Sequence, residues 1–170
     1  QRYIRINGRN CRNPYFYKEN FRKKVKELLC DTNEFALIHG DCTFSNTMVD
    51  SDLNIIFLDP RGYFGFQELY GDEYYDWAKV YYSINGDYDQ FNNKHFELLI
   101  KENEIILNIS TNGWKDLGDY FLSRIKDCNP MKIKFLHAII WLSLTTYAWE
   151  DYDSICGAFY NGTYLLEEVL

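Results

Sequence analysis

The sequence predicts an α+β fold that is predominantly helical, with small β-hairpins set into it. Three observations carry this. Apolar residues recur at helical spacing over residues 18–30, 74–84 and 114–126. Residues 131–149 are apolar almost all round, the pattern of a central buried helix. Short apolar runs at 35–38, 47–49 and 55–58 are bounded by Gly, Asp, Asn and Ser, as strands are.

In chain order, residues 1–17 mix polar, basic and aromatic side chains without a period and are expected to be an irregular lead-in. Phe21, Val25, Leu28 and Leu29 then define one face of an amphipathic helix whose basic face is solvated, and Asp31, Thr32 and Asn33 end it. Residues 35–38 read as a short buried strand, and 47–49 with 55–58 as a hairpin closed by 50–54. Gly62, Gly65 and Gly71 mark a loop, after which Asp72 or Asp76 caps a helix with Trp77, Val80, Tyr81 and Ile84 as its apolar stripe. Residues 86–89 form a turn, and 96–100 and 104–109 two strands, with a continuous helix as the competing reading. Pro130 suits the first turn of the central helix, and a final helix over 154–169 is weakened by Gly157 and Gly162.

The chain has 170 residues, 46% hydrophobic and 25% charged, which fits one folded domain over 1–170 rather than a disordered chain. A net charge of -7 argues against binding a phosphate backbone, so nucleic acid is not an expected partner. No apolar run has the length to cross a bilayer, and no membrane role is expected. Five cysteines without a Cys-x-x-Cys pair indicate neither a zinc site nor a disulfide framework, and fit a cytoplasmic protein.

Polar residues interrupt the apolar runs at regular places. The run 35–38 ends at His39-Gly40-Asp41, the run 55–58 ends at Asp59, and Asn46 lies between. Two carboxylates and an amide released at strand ends form an oxygen-rich set suited to a hard divalent cation such as Mg2+. Each has a plainer reading. Asp41 after a glycine could be a turn residue or a cap. Asp59 before Pro60 could be only an extended pre-proline residue. His95 reads as a surface histidine and His137 as one in the core or a groove. Glu150, Asp151 and Asp153 could line a pocket for a cationic substrate, or form a solvated inter-helix turn.

The pattern His39-x-Asp41-x-x-x-x-Asn46, a hairpin, then Leu58-Asp59-Pro60-Arg61-Gly62 and Tyr75-Asp76-Trp77-Ala78-Lys79 resembles the aminoglycoside phosphotransferase and choline kinase superfamily, of protein-kinase-like fold. The motifs cover about residues 35–83. The resemblance implies a carboxy-terminal lobe that helps to transfer the γ-phosphate of ATP or GTP to a hydroxyl of a sugar, amino sugar or amino alcohol. Asp41 would orient or accept the proton of the attacking hydroxyl, and Asn46 and Asp59 would hold Mg2+ and the nucleotide phosphates. His39 would support the loop structurally and Asp76 would brace it, although an N-cap is the alternative for Asp76. Arg61 stands where protein kinases carry the Phe of Asp-Phe-Gly, so the resemblance does not extend to their activation behaviour or to a protein substrate.

The amino-terminal nucleotide-clamping lobe of such an enzyme is not found before His39, because the first 33 residues are too few for a five-stranded sheet and a helix. The chain is therefore expected to be the carboxy-terminal lobe, as a fragment or a short form, with weak or no activity alone. Two other classes stand beside this reading: a non-catalytic, pseudokinase-like binding module, and a metal-dependent hydrolase built on His39, Asp41 and Asp59. The last lacks the usual further ligands.

Overall fold

A computed structural model describes residues 1–30, 35–147 and 151–170. The chain opens on a hairpin, β1 (Tyr3–Ile6) and β2 (Arg9–Arg12), where an irregular lead-in was expected. The reason is legible in retrospect. Asn7-Gly8 takes positive φ at both residues (46° and 81°), the two-residue turn that matches strand twist, and Asn-Gly is the pair that favours it. Ile6 and Cys11 on one face of this hairpin are buried.

Helix α1 (Lys18–Leu29) follows, and its expected stop at Asp31, Thr32 and Asn33 lies outside the described residues. Next come β3 (Ala36–Leu37), a 3-10 turn (Phe44–Asn46), and the antiparallel pair β4 (Thr47–Val49) and β5 (Ile55–Phe57), close to the expected hairpin. β3 is not the buried strand that its apolar run suggested. Only two of its residues pair, with β8 (Tyr70–Gly71), and Leu37 is 70% exposed while Ile38 turns inward. Between them β6 (Tyr63–Phe64) and β7 (Gln67–Glu68) make a small hairpin inside the expected loop.

Helix α2 (Glu73–Ile84) is followed by a short helix α3 (Tyr88–Asn92) in place of a simple turn. Strands β9 (Phe96–Ile100) and β10 (Ile105–Ile109) pair antiparallel, so the helical alternative for this segment is wrong. β1 joins β10 in parallel, Ile6 beside Ile105, giving a four-stranded sheet of order β2-β1-β10-β9. The Asn7 side chain extends that ladder by donating to the Leu107 carbonyl and accepting from its amide, both at 2.9 Å. Ile6, Cys11 and Ile105 close a small core against Tyr160 and Tyr164.

Helices α4 (Gly118–Arg124), α5 (Pro130–Leu144) and α6 (Tyr152–Leu166) complete the described elements. Pro130 occupies the first turn of α5, and Asn129 caps it by accepting from the Lys132 amide. The helix ends at Leu144 and residues 145–147 are turn, so the expected run to residue 149 stops short, its last two residues lying outside the described ones. Ile133, Leu136, Ile140 and Trp141 of α5 pack with Ala78, Tyr81 and Tyr82 of α2. Its other side places Phe135 and Ala138 against Leu28 of α1 and Leu166 of α6. An apolar surface all round α5 is therefore used on both sides. No helix among the described residues is long and apolar enough to cross a membrane.

Candidate active site

Helix α2 builds the site from one polar face. Asp72 is its N-cap, accepting from the Tyr74 amide at 3.0 Å, with its second oxygen 2.6 Å from Lys132 Nζ. Asp76 is therefore not needed as the cap. Its two carboxylate oxygens accept from the amides of His39 (2.7 Å) and Gly40 (2.8 Å). One turn on, Lys79 Nζ lies 2.9 Å from Asp41 Oδ1, and a further turn on, Ser83 Oγ accepts from the Phe44 amide at 3.0 Å. Positions i, i+3 and i+7 share a helix face, so three successive turns of α2 grip the loop 39–46. Asp89 of α3 adds a fourth hold by accepting from the Ser45 amide.

The loop is also tied to the strand that follows. The Asp41 amide donates to His39 Nδ1 (3.2 Å), which leaves Nε2 as the protonated nitrogen that donates to the Leu58 carbonyl at 2.9 Å. With both ring nitrogens engaged, His39 bridges two loops and has no free nitrogen to act as a base. Asn46 Nδ2 donates to the Asp41 carbonyl (2.9 Å) and to Asp41 Oδ2 (3.3 Å).

Asp59 sits between two backbone anchors, the Leu58 amide on the Asn46 carbonyl and the Arg61 amide on the His39 carbonyl. Its φ of 54° is left-handed, not the extended conformation that a following proline favours, so the plainer reading of Asp59 is corrected. A non-glycine residue held there costs about 1–3 kcal/mol, and the two anchors enforce it. Its carboxylate is exposed. Asp41 and Asn46 are thus in direct contact, and Asp59 is presented on the adjoining loop.

These residues offer the Asn46 amide oxygen and the Asp59 carboxylate to a cation. No group of three His, Cys, Asp or Glu that could hold a metal occurs among the described residues. Both are oxygen donors, the ligand type that Mg2+ takes, and the loop of Asp59 is joined to Asn46 through the Leu58 amide on the Asn46 carbonyl.

Beside Asp41 lies a cavity of about 210 Å³ walled by Asp41, Arg61 and Lys79 and by the rings of Tyr82, Tyr88 and Tyr147. Ile140, Ser143 and Leu144, from the last turns of α5, close it. The Arg61 guanidinium donates to the Tyr75 hydroxyl and lies 5.4 and 5.3 Å from the ring centres of Tyr63 and Tyr147. Tyr82 stacks on Tyr88 with centroids 4.2 Å apart and packs edge-on to Trp141. Burial raises the Tyr82 phenol well above its ordinary pKa, with Tyr88 and Asp41 adding to the effect, and raises Tyr88 to about 12. Both stay protonated at neutral pH.

Of the two readings of the acidic cluster, pocket or inter-helix turn, Asp151 and Asp153 follow the turn. Asp151 caps α6, accepting from the Asp153 amide, and pairs with Lys94, which holds its carboxyl down to about 2. Asp153 is exposed in the first turn of α6. Neither is among the residues lining the Asp41 cavity. Glu150 lies outside the described residues.

The sequence reading missed the parts played by Lys79, Ser83, Asp89, Arg61 and the tyrosines. A signal existed for two of them: Asp76, Lys79 and Ser83 are polar residues at helical spacing that run beside the Val80 and Ile84 stripe. Compared with protein-family models, with curated proteins and with solved structures, the chain finds no match.

Proposed function

We propose that the chain is the catalytic lobe of a phosphotransferase that moves the γ-phosphate of ATP or GTP onto a hydroxyl of a small molecule. The observation that carries this is the placement of Asp41. Its carboxylate is oriented by Lys79 and Asn46 and lines a cavity, while Asp59 stands on the next loop. Phosphoryl transfer asks a protein for positioning and charge neutralisation more than for covalent help. Asp41 would accept the proton of a hydroxyl seated in the cavity. Lys79 would fix the carboxylate rotamer, and Asp76 would hold the loop on which Asp41 is carried. Asn46 and Asp59 would hold Mg2+, which when bound supplies charge neutralisation on the phosphates.

The test is nucleotide consumption by the chain, joined to whatever sequence is encoded upstream of it, with Mg2+, ATP or GTP, and a panel of sugars, amino sugars and amino alcohols. Asp41→Asn is expected to lower kcat by about 10²- to 10⁴-fold. Asp59→Asn is expected to raise the Mg2+ concentration needed for half-maximal rate. Turnover that neither substitution alters would end this reading. A chain that binds the small molecule but never consumes nucleotide would be a non-catalytic binding module.

A further inference from the structure

One cation in the wall of the Asp41 cavity lacks a carboxylate partner among the described residues. It is Arg61. Its guanidinium meets a phenol and two aromatic faces, and among the described residues it forms no ion pair. Lys79, the other cation in the wall, is already paired with Asp41. The described charged residues lining the cavity are thus one carboxylate and two cations.

From these observations, and resting on the phosphotransferase reading above, we infer that the substrate is a compact anionic hydroxyl compound, with a hydroxyl toward Asp41 and its anionic group on Arg61. Amino sugars and amino alcohols are disfavoured. A cationic substrate would set its charge against Arg61, whereas an anion there gains a charge-assisted hydrogen bond. Arginine suits the task because its planar fork matches a carboxylate or phosphate. The three tyrosine rings with Ile140 and Leu144 supply an apolar wall for the carbon skeleton of a sugar acid or similar hydroxy acid. At about 210 Å³ the cavity is smaller than the about 300–1,000 Å³ of sites for drug-sized ligands, so the occupant is of single-ring size.

The test is equilibrium binding by calorimetry to the chain without nucleotide, at low ionic strength, using three probes of one ring skeleton: glucuronate, glucose and glucosamine. The expected order is glucuronate, then glucose, then glucosamine, with at least about a tenfold span. Arg61→Gln should bring glucuronate down to the level of glucose, and Arg61→Lys should keep the order. Tightest binding of glucosamine, absence of binding by all three, or an order that Arg61→Gln leaves intact overturns the inference. These outcomes are separable from failure of the phosphotransferase reading. Charge-ranked binding without nucleotide turnover would sink that reading alone, and turnover preferring glucosamine would sink this inference alone.

Discussion

His137 carries a conflict between chemistry and location. It is 2% exposed, and its Nε2 accepts from Trp141 Nε1 at 3.0 Å, a bond that requires an unprotonated Nε2. Burial lowers its pKa from 6.5 to about 3, with Lys115 adding a smaller push in the same direction. The unfolded chain takes up a proton near 6.5 and the folded chain does not, so this residue costs nothing above that pH. Below it, stability falls by about 1.4 kcal/mol per pH unit until the folded value is reached. Urea unfolding at pH 7, 6 and 5 is expected to show this slope. His137→Gln, whose amide oxygen can replace Nε2 as the acceptor, should flatten it. A slope of the same size in the variant would assign the acid sensitivity elsewhere. The same mechanism ties the core to the site, since the rings of Tyr81 and Tyr82 pack edge-on to this imidazole.

At the scale of elements, α2 does two jobs with two faces. Ala78, Tyr81 and Tyr82 bury in the helical core, while Asp76, Lys79 and Ser83 hold the loop 39–46. Asp76 matters most because both its oxygens take backbone amides of the loop. Asp76→Ala would leave the amides of His39 and Gly40 without acceptors and is expected to destabilise the protein by about 3 kcal/mol, measured by urea unfolding. Asp76→Asn, which keeps one acceptor oxygen, should cost about half as much. Equal losses would mean that Asp76 acts through its charge and not through the two bonds. Much of this level was readable in the sequence. The 3.6-residue period located α1, α2, α5 and α6, and polar residues at the ends of apolar runs located Asp41, Asn46 and Asp59. The partners of those residues were not readable, because Lys79 and Tyr82 reach Asp41 and its cavity only through the packing of α2 against the loop. Periodicity also cannot say which side of a short strand is covered, which is why the apolar run of β3 was misread as buried when Leu37 is exposed.

Over the whole molecule, α5 decides how the parts meet. It separates two apolar clusters, and its last turns close the Asp41 cavity. The parallel pairing of β1 with β10 brings Ile6 beside Ile105, a contact that local pattern does not encode because its two halves lie far apart in sequence. The glycines that weakened α6 in the sequence are explained at this scale: Gly157 faces Phe91 and Gly162 faces Leu142. A Cβ on Gly162 would lie 2.7 Å from Leu142 Cγ and 2.9 Å from the Leu142 amide nitrogen. The leucine side chain could move aside, but the amide belongs to the α5 backbone, so α5 and α6 would have to separate. Gly162→Ala is therefore expected to destabilise the protein by about 1–3 kcal/mol, even though alanine gains about 1 kcal/mol of intrinsic helix propensity. A double-mutant cycle with Leu142→Ala checks the cause. If the clash is with the leucine branch, the second substitution should cost about 0.5 kcal/mol or more less in the alanine background than in the parent. Strict additivity, with the destabilisation intact, would place the strain on the backbone contact. A neutral or stabilising Gly162→Ala would show that α6 does not approach α5 this closely. Because the last turns of α5 carry Ile140, Ser143 and Leu144, separation of the helices should also weaken binding in the Asp41 cavity, and calorimetry on the same variants would detect that loss.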